Sequence, residues 1–427
     1  MEGSVSALAC AQEGNAMQIF SLISRTMGIP VVCILLAVGC SKKDTLTGPG
    51  ETPGTASIDL ANTQQVIRGF GAANILPWRP DMTADQISTA FGTGAGQLGF
   101  SLLRLRIPPD TAQFAMQVPT ARTAASLGVT LFASPWTPPP ALKTNGDTVG
   151  GQLKTDSYAA FASHLKAFAD YMSSNGAPLY AISVQNEPDV TVTYESCYWN
   201  ASQMQAFVRD NAPSVGVKII ADEASGFDHT ITDAILNDPV ASANLSIVGG
   251  HLYGAEPAKY PLAGSKGKEV WMTEFLDLDT DWPAVLATGK QINDCMASGM
   301  NAYVWWYIVR FYGPILEDGP VSKRGFVMSQ YSRFVRPGYV RVEATANPQS
   351  KVYVTAYTNG PRIILVAVNI GPSIQQAFSI KNGTVAAVIP YVTSSSRNCA
   401  PGNSIAVSGG QFTVQLDSSS VTTFVSN

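Results

Sequence analysis

Two glutamates each close an apolar, strand-like run. The first run reads Tyr180-Ala-Ile-Ser-Val-Gln-Asn186-Glu187-Pro188-Asp189 and the second Lys268-Glu-Val-Trp-Met-Thr-Glu274. Hydrolysis of a glycosidic bond needs two carboxyl groups, one to protonate the leaving oxygen and one to attack the anomeric carbon or activate water. A lone glutamate at a strand end is more often an ordinary polar terminus, so the neighbours decide. Asn186 stands where it can hydrogen-bond a sugar 2-hydroxyl, and Pro188, with no backbone N–H, ends the strand. Tyr253, in His251-Leu-Tyr253-Gly254, is suited to hydrogen-bond the nucleophile and hold it ionised. His251 itself reads as a structural histidine. Trp136, in Ser134-Pro-Trp136-Thr-Pro-Pro-Pro140, sits on a proline-stiffened loop and offers a flat face to a sugar ring. Trp305 and Trp306 offer a second aromatic surface, one of the two being expected as core filler. Arg104 and Arg106 share one strand face by their period-two spacing. Charges inside a fold are costly unless paired, so at least one should meet the catalytic carboxylates; the alternative is a salt bridge at the rim.

Elements that hold such residues follow from the pattern between about residues 65 and 310. Eight short apolar runs alternate with amphipathic stretches: 66–72, 101–107, 129–134, 179–185, 217–221, 245–251, 269–273 and 302–306. Helices are expected at 119–127, 156–175, 202–211 and 282–298. That count and length predict an α/β chain, a (β/α)8 TIM barrel, which gathers acidic residues from the carboxyl ends of separate strands. A doubly wound sheet would carry a glycine-rich phosphate loop after its first strand, and Gly69-Phe-Gly71 does not match that fingerprint. On this reading Glu223 and Trp306, on the fifth and eighth strands, reach the same rim. After about Arg336 short strands separated by Gly, Asn, Ser and Pro predict an attached small antiparallel β-sandwich. The expected organisation is a targeting segment (1–40), a tether (41–56), the barrel (57–335, with 57–62 a candidate strand of the β domain) and the β-sandwich (336–427).

Charge is nearly balanced, 27 Lys+Arg against 31 Asp+Glu, which argues against a nucleic-acid partner. Residues 27–38 form an apolar run of signal-peptide length, too short to span a bilayer. The following Leu36-Ala-Val-Gly-Cys40-Ser41 resembles a bacterial lipoprotein box, with a plain signal peptide as the alternative. A secreted or lipid-anchored envelope location is therefore expected, with membrane contact only through Cys40. Cys197, Cys295 and Cys399 lie far apart and outside any zinc or disulfide framework, which favours buried thiols. No cofactor and no metal is implied, and a monomer is expected.

The ordered motifs resemble glycoside hydrolase family 30, most closely its bacterial xylanase and glucuronoxylanase branch. They are Gly69-Phe-Gly71, Ser134-Pro-Trp136, Val184-Gln-Asn-Glu-Pro-Asp189, His251-Leu-Tyr-Gly254, Trp271-Met-Thr-Glu274, Tyr303-Val-Trp-Trp-Tyr307, Ser322 through Tyr331, Phe334 through Gly338 and Ser420 through Val425. The resemblance implies a retaining endo-β-1,4-xylanase, with Glu187 as acid/base and Glu274 as nucleophile. It also implies that Arg310 and Tyr312 bind a glucuronate branch of xylan. The pattern departs from the family at Phe275-Leu276-Asp277-Leu278-Asp279, where a hydroxyl-bearing loop is usual, and at Val309, often a second Arg. Glucuronoxylan is the expected substrate. The alternatives are a general xylanase, a β-glucosidase or glucosylceramidase-like enzyme, and a non-catalytic glycan-binding lipoprotein.

Overall fold

The computed structural model describes residues 54–426. The targeting segment, most of the tether and Cys40 lie outside the described residues. Among those described, no helix is long and apolar enough to cross a membrane.

The chain enters with β1 (Thr55–Val66), then builds a closed parallel barrel. Its staves are β2 (Gly69–Asn74), β3 (Leu102–Ile107), β4 (Thr130–Pro135), β5 (Ala181–Ser183), β6 (Lys218–Ala224), β7 (Ile247–His251), β8 (Glu269–Glu274) and β9 (Ala302–Tyr307). All eight expected barrel strands are present, though the first starts at Gly69, because Val66 still belongs to β1. The four expected helices also form, and two crossovers start with capping boxes: Thr83 with Gln86, and Asn200 with Gln203. In each box a side chain and the backbone satisfy one another's orphan donors.

Alternation along each strand sorts the side chains. Leu103, Leu105 and Ile107 pack outward into the core shared with the helices, while Leu102, Phe132, Ile220, Trp271 and Val304 fill the barrel floor. Gly69-Phe-Gly71 is a packing device. A Cβ on Gly71 would lie 2.0 Å from the Leu102 carbonyl oxygen, so only glycine lets β2 and β3 approach there.

After the barrel come a helix (Lys323–Ser332) and β10 (Val340–Ala344), neither read from the sequence. Then follow β11 (Val352–Asn359), β12 (Arg362–Asn369), β13 (Ile374–Lys381), β14 (Ala387–Thr393), β15 (Ala400–Pro401), β16 (Ile405–Ala406), β17 (Gln411–Leu416) and β18 (Ser420–Ser426). The sheet order is β15-β14-β18-β12-β11-β10-β1-β13-β17. Two corrections follow. β1 starts at Thr55, inside the expected tether, because Ala56 and Ile58 bury their side chains and Thr55 pairs with Ala377. The sheet is also mixed, since β1 runs parallel to β13. It curls until its ends face one another: Phe378 on β13 and Phe412 on β17 meet Phe424 on β18 at ring separations of 5.2 and 5.4 Å. The outer face of β11, β12 and β18 joins the barrel core through Tyr357, Ile364, Val366 and Val421. Thr423 donates to the Gln330 carbonyl at 2.6 Å and Gln330 donates to Thr393 at 2.7 Å. The sheet therefore braces the barrel side that carries β9 and its helices. Cys197, Cys295 and Cys399 are buried free thiols.

Candidate active site

Strict alternation from inward Trp271 would turn Glu274 outward. The structure avoids this with a one-residue slip: Gly250 pairs with Met272, but His251 pairs with Glu274. A similar slip between Asp222 and Ala224 on β6 re-aims Glu223, whose φ is 58°. Bulges of this kind redirect side chains at barrel rims. Glu187 lies just beyond β5 with φ 46°, a left-handed conformation that a non-glycine residue adopts only where its surroundings demand it. Its N–H donates to the Glu223 carbonyl at 3.1 Å, and Asn186 N–H to the Pro135 carbonyl at 2.9 Å. Neighbouring strand ends thus fix the strained turn.

The result is a buried cluster. One carboxylate oxygen from each of Glu187 and Glu274, with a His251 ring nitrogen, lie within 4.8 Å of one another. Two carboxylates and an imidazole could ligate a metal, but a cation is already there. Arg104 donates to Glu274, to Asn186 Oδ1 at 2.7 Å and to Glu223 at 3.3 Å. Tyr253 donates its hydroxyl to the other oxygen of Glu274 at 2.8 Å. Glu187 meets His251 Nδ1 at 3.0 Å and accepts from the Tyr194 hydroxyl at 3.3 Å.

The two carboxyls therefore sit in different environments. Burial pushes Glu187 up to about 7, against the opposing pull of Arg104. Burial, with Glu187 beside it, lifts Glu274 above its ordinary value, and Arg104 and the Tyr253 hydroxyl oppose that rise. Burial keeps His251 neutral. Burial alone would raise Glu223, but Arg104 together with hydrogen bonds from Ser134 and Ser183 brings it below the usual range. A carboxyl raised to about 7 beside one whose cation and hydroxyl partners favour its ionised form is the division that acid and nucleophile require.

The other expected site residues separate. Arg104 meets the carboxylates. Arg106 does not: it forms a double ion pair with Glu195, with contacts of 2.6 and 3.0 Å, and lies over Trp78 at 5.3 Å. Arg106 is therefore the rim salt bridge offered as the alternative. Trp136 and Trp306 are buried, correcting the expectation of open sugar platforms. Both flank the Arg104 guanidinium, 4.8 and 5.9 Å from it. Trp305 is core, packed under Arg324 at 4.6 Å. Arg310 is tied to Glu317 at 2.7 Å, and Glu317 also pairs with Arg79. Tyr312 is buried, its ring 4.9 Å from that of exposed Phe311. In the loop after Glu274, Asp277 lies 3.8 Å from Arg324, which also holds the Asp277 and Asp279 carbonyls. Tyr194 and Glu195 had no signal in the sequence: they sit in an irregular segment, and their partners are remote along the chain.

Known proteins similar to this chain share a family and a fold. The family model for the glycosyl hydrolase family 30 TIM-barrel domain matches residues 98–272, which span Glu187 and stop just short of Glu274. The chain is 44% identical over 416 residues to the glucuronoxylanase XynC of Bacillus subtilis strain 168, covering 93% of this chain and 98% of that protein. Its fold is similar to the family 30 subfamily 8 xylanase Xyn30A of Clostridium acetobutylicum, with TM-score 0.82 and 40% identity over 88% of this chain and 100% of that one. A family 30 endoxylanase from Clostridium papyrosolvens superposes with TM-score 0.82 at 38% identity, over 87% of this chain and 100% of that one.

Proposed function

The chain belongs to glycosyl hydrolase family 30, and from that premise we propose that it is a retaining endo-β-1,4-xylanase acting on glucuronoxylan. The observation that carries this reading is the separation of Glu187 and Glu274, whose nearest carboxylate oxygens lie within 4.8 Å. Retaining sites hold their carboxyls about 5–5.5 Å apart, whereas inverting sites leave about 6.5–9.5 Å for a water.

In the first step protonated Glu187 gives its proton to the departing xylosyl oxygen while Glu274 attacks the anomeric carbon. Arg104 and Tyr253 both donate to Glu274 and so favour the ionised form that the attack needs. A covalent glycosyl-enzyme results. Glu187, now a carboxylate, takes a proton from water, which attacks the same carbon and releases Glu274. Asn186 Oδ1 accepts from Arg104, which leaves its amide N–H as the group to donate to the sugar 2-hydroxyl.

A second reading, a xylanase indifferent to glucuronate, has its own support. Glu317 already engages Arg310, and Leu276 has no side-chain donor for a substrate carboxylate. Digestion of glucuronoxylan and unbranched xylan in parallel, with products analysed by mass spectrometry, separates the two. Cleavage confined to glucuronoxylan, with one glucuronate per product at a fixed place, supports the first reading. Equal cleavage of both supports the second, and no cleavage of either removes the xylanase assignment. We also propose export to the cell envelope with Cys40 as the lipidated residue, which metabolic labelling with a fatty-acid analogue and its loss in Cys40→Ala would test.

A further inference from the structure

The segment after Glu187 is irregular, yet it is fastened by two buried cations. Lys143 donates to the Ser196 carbonyl at 2.7 Å and to Thr137 at 2.8 Å. Arg106 grips the Glu195 carboxylate with both faces of its fork, backed by Trp78. An arginine fork fixes orientation as well as charge. Between these fastenings and Glu187 lies Tyr194, buried, its hydroxyl aimed at Glu187 Oε2. Neither Arg106 nor Glu195 has a place in the proposed chemistry, although a buried arginine is expensive to keep.

We propose that residues 194–195 form a latch in which the Arg106–Glu195 pair holds Tyr194 on Glu187, so that the tyrosine hydroxyl sets how readily that carboxyl releases and recovers its proton. Tyr194 is thus a positioning residue for the acid/base, and Arg106 and Glu195 act through it. The inference rests on Glu187 being the acid/base. Arg104 and Glu223 face Glu187 from β3 and β6, and His251 and Glu274 from β7 and β8. Asp189 flanks it on its own loop. Those groups are unchanged by altering Tyr194, so the hydroxyl can be removed without altering a formal charge. A hydroxyl that donates to a carboxylate favours the ionised form, so its loss leaves Glu187 protonated to higher pH.

The test is the pH profile of kcat/KM on xylan for wild type, Tyr194→Phe, Glu195→Gln and the double variant, with Glu187→Gln as reference. Tyr194→Phe should move the basic limb upward by about 0.5–1 pH unit. Glu195→Gln should move it in the same direction, and the double variant no further than Tyr194→Phe alone. A limb that stays in place in Tyr194→Phe overturns the latch. So does a Glu195→Gln shift that adds fully to that of Tyr194→Phe. If Glu195→Gln does not fold, Arg106→Lys, which keeps the charge but loses the fork, replaces it in the comparison. A basic limb that persists in Glu187→Gln refutes the acid/base assignment instead, so the two failures are distinct.

Discussion

Replacing Glu187 by Gln should change how the stability of the protein depends on pH. Burial holds this carboxyl at about 7 in the folded chain, against an ordinary value of 4.5. The folded state therefore binds its proton more tightly than the unfolded state. Between these two values the folded chain carries more protons, so stability falls as pH rises through that window. The stabilising bias is fully present below the lower value and lost above the upper one. The whole difference corresponds to about 3 kcal/mol. Gln fills the same volume and has no proton to lose. Urea unfolding followed by tryptophan fluorescence at about pH 5 and about pH 8 measures the effect. The stability lost between the two conditions should be smaller in the variant by about 2–3 kcal/mol, or roughly 3–4 °C in midpoint temperature for a chain of this size. The variant should also become the more stable protein at the higher pH. The ionisation has a kinetic counterpart: above about pH 7, kcat/KM of the wild type should fall about tenfold per pH unit. Parallel pH dependences of stability in the two proteins would refute the claim that Glu187 is buried in its neutral form.

Three further outcomes follow from the packing and the ion pairs. Arg104→Met leaves Glu223 and Glu274 buried without their cation and should destabilise the fold by about 3–5 kcal/mol, read by urea unfolding; a loss below about 1 kcal/mol would show that Arg104 is not the shared partner. Gly71→Ala forces a methyl against the Leu102 carbonyl and should cost at least about 1–3 kcal/mol; a neutral change would contradict the close approach of β2 and β3. Glu317→Gln removes one ion-pair partner of Arg310 and should raise the kcat/KM preference for glucuronoxylan over unbranched xylan by about tenfold. An unchanged ratio would show that Arg310 does not read the branch.

The barrel was legible because each stave is a short apolar run with its own helix partner, a local pattern. The cluster at its mouth was partly legible for the same reason: Glu187, Asn186, Tyr253, Glu274 and Arg104 all stand at strand ends or on strand faces. What the sequence concealed was register and remote pairing. Nothing in Glu223 or Glu274 announces the slips that turn both inward. Arg106 and Glu195 lie 89 residues apart, as Tyr194 lies outside any periodic segment, so neither leaves a periodic trace. Trp136 and Trp306 read as sugar platforms because an aromatic at a strand end looks alike whether it faces solvent or, as here, covers a buried guanidinium. The curl of the β sheet, and its parallel β1–β13 pair, depend on a strand contributed from the far end of the chain.

A covalent intermediate at Glu274 is the central step of the proposed reaction. Incubation with an activated 2-fluoro-xylobioside slows the second displacement more than the first, and peptide mass spectrometry then locates the trapped sugar. A single adduct is expected, on the peptide that contains Glu274. The natural product should be released first as the β-anomer, read by proton NMR. An adduct on another carboxylate, or a product of inverted configuration, would contradict it.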